Sequence, residues 1–247
     1  MSRNISTLIT NYLLFGLALA TTFSSISAQS FSNEKIWGGE FRSEGVWGIR
    51  SMANGSHYTV SDYDEDKGST IEKYSYSSGK KVSTIVTSID AFEDAREPFS
   101  SYTFSADERY ILLTTNTESL YRHSYYADFY IYDTESNELA TPLTDFSKGK
   151  QRLATFSPSA DKVAFVRNNN VFIANLIDGT ETQVTDDGLA NSIINGATDW
   201  VYEEEFGDDN GIKWSPDGNK LAYYKFDETA VRQMHMPVYG GLYPEPY

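Results

Sequence analysis

The sequence predicts an all-β chain built as an incomplete β-propeller, about three to four blades with one short helical insertion. Three observations predict it. A phrase made of an aromatic, a serine, a turn and an apolar strand recurs as FSADERYILLTT from Phe104, FSPSADKVAFVR from Phe156 and WSPDGNKLAYYK from Trp214. A second type of hairpin recurs between these phrases, and the 247-residue chain contains no cysteine, so burial rather than disulfides must hold it together.

In chain order, residues 1–28 read as a secretory signal peptide rather than as part of the fold. Arg3 supplies the basic start, LLFGLALA (13–20) is too short to span a bilayer comfortably, and SISAQ ends in small residues near Ala28. Export would place the protein in the periplasm, cell envelope or outside the cell, in keeping with a bacterial source. The formal charge is −15, and loss of the leader removes one arginine and no acid, giving −16. So acidic a chain repels nucleic acid and suits cationic ligands.

Residues 29–247 are expected to form the propeller portion. IEKYSYSSGKKVSTIV from Ile71, FYIYDTESNELATPLT from Phe129 and VFIANLIDGTETQVT from Val171 are hairpins with polar turn residues at their centres. The aromatic-Ser phrases recur at offsets of 52 and 58 residues, and four short strands in each repeat make one blade. A closed ring takes about four to eight blades. The chain is therefore expected to be part of a longer propeller, its final segment YPEPY following a strand with no returning partner.

The longest departure from the repeat lies between Thr185 and Trp214 and contains DWVYEEE, residues 199–205. Asp199 is suited to cap a short helix whose first turn carries the acids. Two carboxylates converging on a primary ammonium make charge-assisted hydrogen bonds. Successive helical residues point about 100° apart, so Glu203, Glu204 and Glu205 cannot all face one point. A solvated acidic helix start is the alternative.

Arg122, in YRHSYYADFYIYD (121–133), is a fork donor among aromatics, fit to hold a peptide carbonyl or a carboxylate, or simply to stack on tyrosines. DYDEDKG (62–68) fails as a calcium loop, because Lys67 and Lys73 stand where an EF-hand wants glycine and glutamate. No metal site and no cofactor are expected. There is no G-x-S-x-G elbow, and His57, His123 and His235 all lack the context of a triad base.

The phrases YRHSYYADFYIYD, INGATDWVYEEEFG and KWSPDGNKLAYYKFDET, in this order and spacing, resemble the dipeptidyl peptidase IV family of serine exopeptidases, from about residue 40 to the end. The resemblance implies an eight-bladed propeller, followed by an α/β-hydrolase domain with Ser, Asp and His that these residues do not include. It implies release of X-Pro or X-Ala dipeptides from peptides with a free N-terminus, and a possible homodimer in the full-length protein. It assigns Glu204 and Glu205 to the substrate ammonium and Arg122 to the substrate carbonyl, with Glu203 pointing away. The 247 residues alone are then expected to be inactive. FGDDNG after the acids is closer to related tripeptidyl enzymes, but two retained glutamates favour dipeptide release. A stand-alone binding module and an inactive truncation are the alternatives outside catalysis.

Overall fold

The computed structural model describes residues 31–43, 45, 48–92, 98–136, 138–233, 237–243 and 245–246. The leader at 1–28 and His235 lie outside them. The chain divides at Val46 into two units. In the first, helix α1 (Asn33–Trp37) is capped by Ser32, whose Oγ accepts from the Lys35 amide at 3.3 Å, and it buries no residue.

The second unit consists mainly of antiparallel meanders. Strands β1 (Arg50–Ser51), β2 (His57–Asp64), β3 (Gly68–Ser75) and β4 (Lys81–Thr87) form the first four-stranded sheet, with helix α2 (Ser88–Ala91) after it. The second is β5 (Ser101–Phe104), β6 (Tyr110–Ser119), β7 (Tyr125–Asp133) and β8 (Thr141–Pro142). The third is β9 (Arg152–Phe156), β10 (Lys162–Arg167), β11 (Asn170–Asn175) and β12 (Glu181–Gln183), again paired in sequence order. These are the propeller blades expected from the repeat. The acidic phrase at 62–68 forms the β2–β3 turn, where Asp64 Oδ1 accepts from the amides of Asp66 and Lys67 at 2.9 and 3.1 Å.

The recurrent serine has one structural job in all three copies. Ser105, Ser157 and Ser215 each accept, on Oγ, the amide five residues on, from Tyr110, Lys162 and Lys220 at 2.9, 3.1 and 2.9 Å. Each hydroxyl in turn donates to an aspartate inside the turn, Asp107, Asp161 or Asp217, at 2.6, 2.9 and 2.6 Å. The serine thus satisfies polar groups at the neck of the hairpin, where the ladder has ended.

Period-2 alternation explains how the blades stack. Along β6, Ile111 and Leu113 join Ile71, Val86 and Tyr102 between the first and second sheets, whereas Leu112 faces the other way. Along β10, Val163 and Phe165 meet Phe129 and Ile131, while Ala164 and Val166 turn to Ile212 and Trp214. Blade strands buried on both faces therefore read as continuous apolar runs, YILL and VAFV.

The fourth repeat is built differently. Strands β13 (Ile193–Asn195) and β14 (Ile212–Trp214) share one partner segment, since β14 pairs with β15 (Leu221–Tyr223) and β13 with β16 (Lys225–Asp227), one residue further on. They are two halves of one interrupted strand. The interruption, 196–211, leaves through Gly196 and returns through Gly211, both bonded to the backbone of Tyr224. Its feet are closed by the Ala197–Asn210 bridge and by Thr198 Oγ1 donating to Asp208 O at 2.7 Å. Contrary to expectation, the last segment returns on itself, with β17 (Pro237–Val238) paired to β18 (Glu245–Pro246).

Candidate functional site

Helix α3 (Trp200–Phe206) crowns the interruption. Asp199 caps it as expected, Oδ1 accepting from the Tyr202 amide at 2.9 Å, and Gly207 ends it in the left-handed region at φ 66°. The Tyr202 ring lies 5.1 Å from Phe226 and 5.2 Å from Phe206, which ties the helix to β16. Only Glu203 falls in the first turn, so the expectation that this turn would hold all the acids is corrected. Glu204 and Glu205 stand in the last turn, where the helix dipole works against a carboxylate.

The three glutamates have three environments. Glu203 is 2 % exposed, and its Oε1 accepts the amides of His123 and Ser124 at 2.7 and 2.8 Å. Burial alone would raise its carboxyl. Ser124, the two amides and the field of Arg152 outweigh burial and hold it below the usual carboxylate range. Glu204 is half-buried, and its Oε2 meets Arg122 Nε at 3.2 Å. Glu205 is exposed and forms no ion pair among the described residues.

Arg122 comes from the β6–β7 loop. That loop is closed by the Leu120 and Tyr121 amides on Ser124 O, at 3.0 and 3.3 Å, and the Arg122 side chain is largely exposed. The two sequence motifs therefore converge in space: a loop of the second blade and an insertion of the fourth repeat meet through Arg122–Glu204 and through Glu203. His123 contributes its backbone amide here. Beneath the insertion a cavity of about 210 Å³ is lined by Tyr125, Leu153, Asp209 and Asn210, among others.

Chemically, the rim offers two carboxylates on successive residues and one guanidinium that already satisfies part of Glu204. An arginine–carboxylate pair with a further acid beside it leaves net negative charge, which suits a cationic group able to donate several hydrogen bonds. Among the described residues no group of three acidic or histidine side chains is gathered as a metal site.

Sequence reasoning did not single out Arg152. It is the first residue of β9 and only 5 % exposed, and burial lowers its guanidinium against the opposing fields of Tyr126, Asp209 and Glu203. The available signal was an arginine opening the strand RLATF, whose neighbours are mostly apolar.

Residues 105–247 match the family described as the dipeptidyl peptidase IV (DPP IV) N-terminal region. The chain is 42 % identical over 142 residues to dipeptidyl peptidase 4 of Trichophyton tonsurans, covering 57 % of this chain and 18 % of that protein. It is 40 % identical over 148 residues to a probable dipeptidyl-aminopeptidase B of Podospora anserina, covering 58 % of this chain and 16 % of that one. The crystal structure of Porphyromonas gingivalis dipeptidyl peptidase 4 superposes with a TM-score of 0.77 at 44 % identity, over 89 % of this chain and 31 % of that one. The matched part of the chain thus spans less than a fifth of the length of these curated relatives. With a family match over more than half its residues and the propeller fold of the solved relative, this chain belongs to the dipeptidyl peptidase IV family, whose N-terminal region it represents.

Proposed function

We propose that this chain is the substrate-binding propeller portion of an exported serine peptidase that releases X-Pro or X-Ala dipeptides from peptide N-termini. Glu204 and Glu205 bind the N-terminal ammonium, and Arg122 orients Glu204 while offering its remaining donors to a substrate carbonyl. The observation that carries this reading is the Arg122–Glu204 contact, which joins residues 82 positions apart at the rim of the insertion. An ammonium anchored there fixes the start of the peptide. A nucleophile on a following hydrolase domain could then reach only the bond a set distance in, which is how a binding pocket becomes an exopeptidase ruler.

In the full-length protein, Glu205→Ala and Glu204→Ala are each expected to lower kcat/KM on a Gly-Pro chromogenic substrate by about a hundredfold or more, since the ammonium loses a charged partner. An N-acetylated peptide should not compete. KM for free-amine substrates should rise as pH passes about 8, where α-amino groups lose their proton. Near-normal kcat/KM in either variant, or competition by the acetylated peptide, would sink the assignment.

A further inference from the structure

Two parts of the fold that are not neighbours in the repeat meet at the rim of α3. The helix belongs to the fourth repeat, to which the Tyr202 ring ties it at 5.1 Å from Phe226 and 6.3 Å from Tyr224. The Arg122 loop belongs to the second blade, and the whole third blade, β9 to β12, lies between them in the chain. Packing of each sheet on the next relates loop and helix only indirectly, through two interfaces in series.

The direct tie is buried. Glu203 Oε1 accepts the amides of His123 and Ser124 at 2.7 and 2.8 Å. Ser124 also closes its own loop, because its carbonyl accepts the Leu120 and Tyr121 amides at 3.0 and 3.3 Å. One residue is thus held from both sides, by its loop through the carbonyl and by α3 through the amide. Arg122 sits inside this closure, directly before the first clamped amide. The ion pair it makes is a poor clamp by comparison: Arg122 Nε meets Glu204 Oε2 at 3.2 Å, but the arginine side chain is 73 % exposed. An exposed pair is screened by water and costs side-chain entropy, whereas two amides on a buried carboxylate oxygen make charge-assisted hydrogen bonds. The order of cause therefore runs from Glu203 to the loop, and from the loop to the Arg122–Glu204 contact.

We propose that Glu203 is a positioning residue, a cross-brace between the second blade and the fourth repeat that presents Arg122 to Glu204 and to the substrate carbonyl. It sets the affinity of the amine subsite without touching the ligand. The inference rests on the reading of Glu204 and Glu205 as the amine anchor.

The test uses the full-length protein and a Gly-Pro chromogenic substrate, with active sites counted by an irreversible fluorophosphonate. Glu203→Gln keeps an acceptor for both amides and loses the charge, so KM should stay within about threefold of the parent. Glu203→Asp keeps the charge and withdraws the oxygen by one methylene, so KM should rise about tenfold with kcat per titrated site within about threefold, the pattern of lost uniform binding. In an Arg122→Ala background the aspartate substitution should change kcat/KM by less than about twofold, because residues that act through one another are not additive. The inhibition constant of an alkyl boronate, which reaches the serine without an amine, should stay within about twofold throughout. Hydrogen exchange of a peptide covering residues 120–126 should accelerate in Glu203→Asp and stay at the parent rate in Glu204→Ala.

A parental KM in Glu203→Asp, a glutamine variant as impaired as the aspartate one, or equal effects of Glu203→Asp with and without Arg122 would each overturn the brace. A boronate weakened as much as the substrate would show a general loss of structure instead. Should Glu203→Asp give no titratable sites, Glu204→Ala still decides: faster exchange at residues 120–126 would mean that the ion pair, not Glu203, holds the loop. Glu205→Ala serves as the control. If it is near normal, the anchor reading fails and this inference with it; if it is impaired while Glu203→Asp is not, only the brace fails.

Discussion

Gly196, the exit of the interrupted strand, shows how a single position can govern the site. Its φ is +78°, and a Cβ there would stand 2.6 Å from Val171 Cγ2 and 2.9 Å from Val166 Cγ2. Left-handed strain and core overpacking together should make Gly196→Ala cost about 2–4 kcal/mol. Urea denaturation of the chain checks this, and a loss below about 1 kcal/mol would mean that the strand end shifts at little cost. Legibility differs sharply from residue to residue here. Asp199 as a helix cap could be read locally, because its partner is three residues away. The inward seat of Glu203 could not, because the amides that claim it lie 80 and 79 residues upstream. Three consecutive glutamates look alike in sequence, and only the loop that packs against them makes one buried, one paired and one exposed.

Within single elements, the Arg167–Glu181 pair joins β10 to β12 across the edge of the third blade. Arg167 Nη2 and Nη1 meet Glu181 Oε1 and Oε2 at 2.6 and 3.0 Å, a two-pronged contact, while the guanidinium lies 4.2 Å from the Phe172 ring centre. Hydrogen bonds from Arg167 hold the Glu181 carboxyl below its usual range, against the effect of burial. A depressed folded pKa means the pair stabilises the fold fully above the unfolded value of about 4.3 and loses that contribution as pH falls through the lower folded value. Glu181→Gln should therefore be destabilised by about 2 kcal/mol at pH 7, with the gap to the parent chain closing towards pH 2–3. A gap that stays constant over that range would show that charge is not what the pair contributes. The blades themselves were legible because their signals are short-range. Turn serines, polar hairpin centres and apolar runs each act within about a dozen residues. The fourth repeat was not, since pairing one segment with two strand halves on either side of a 16-residue excursion depends on contacts that no local pattern encodes.

Among the described residues of the second unit, successive sheets pack on one another through three apolar cores of unequal size. Ten buried residues, among them Ile71, Tyr102 and Leu113, lie between the first and second sheets, and nine, centred on Phe165, lie between the second and third. Among the described residues, the smallest apolar cluster, Ala164, Val166 and Ile212, lies between the third sheet and the fourth repeat. Stability in such arrays is a sum of unit and nearest-neighbour interface terms, so opening should start where the interface is smallest. Hydrogen exchange of the 247-residue chain is expected to be fastest at the β14 and β15 amides and slowest in β6 and β10. Phe165, fully buried and stacked on Phe172 at 5.5 Å, tests the same architecture from its middle. Phe165→Ala should cost about 3–5 kcal/mol at the interface between the second and third sheets. In a nearest-neighbour stack, that loss should accelerate exchange in β7 and β11 far more than in β2 and β3, which lie one interface away. An equal acceleration in all three sheets would show instead that the blades open as one cooperative body, and the registration of the Arg122 loop against α3 would then share the stability of the whole array.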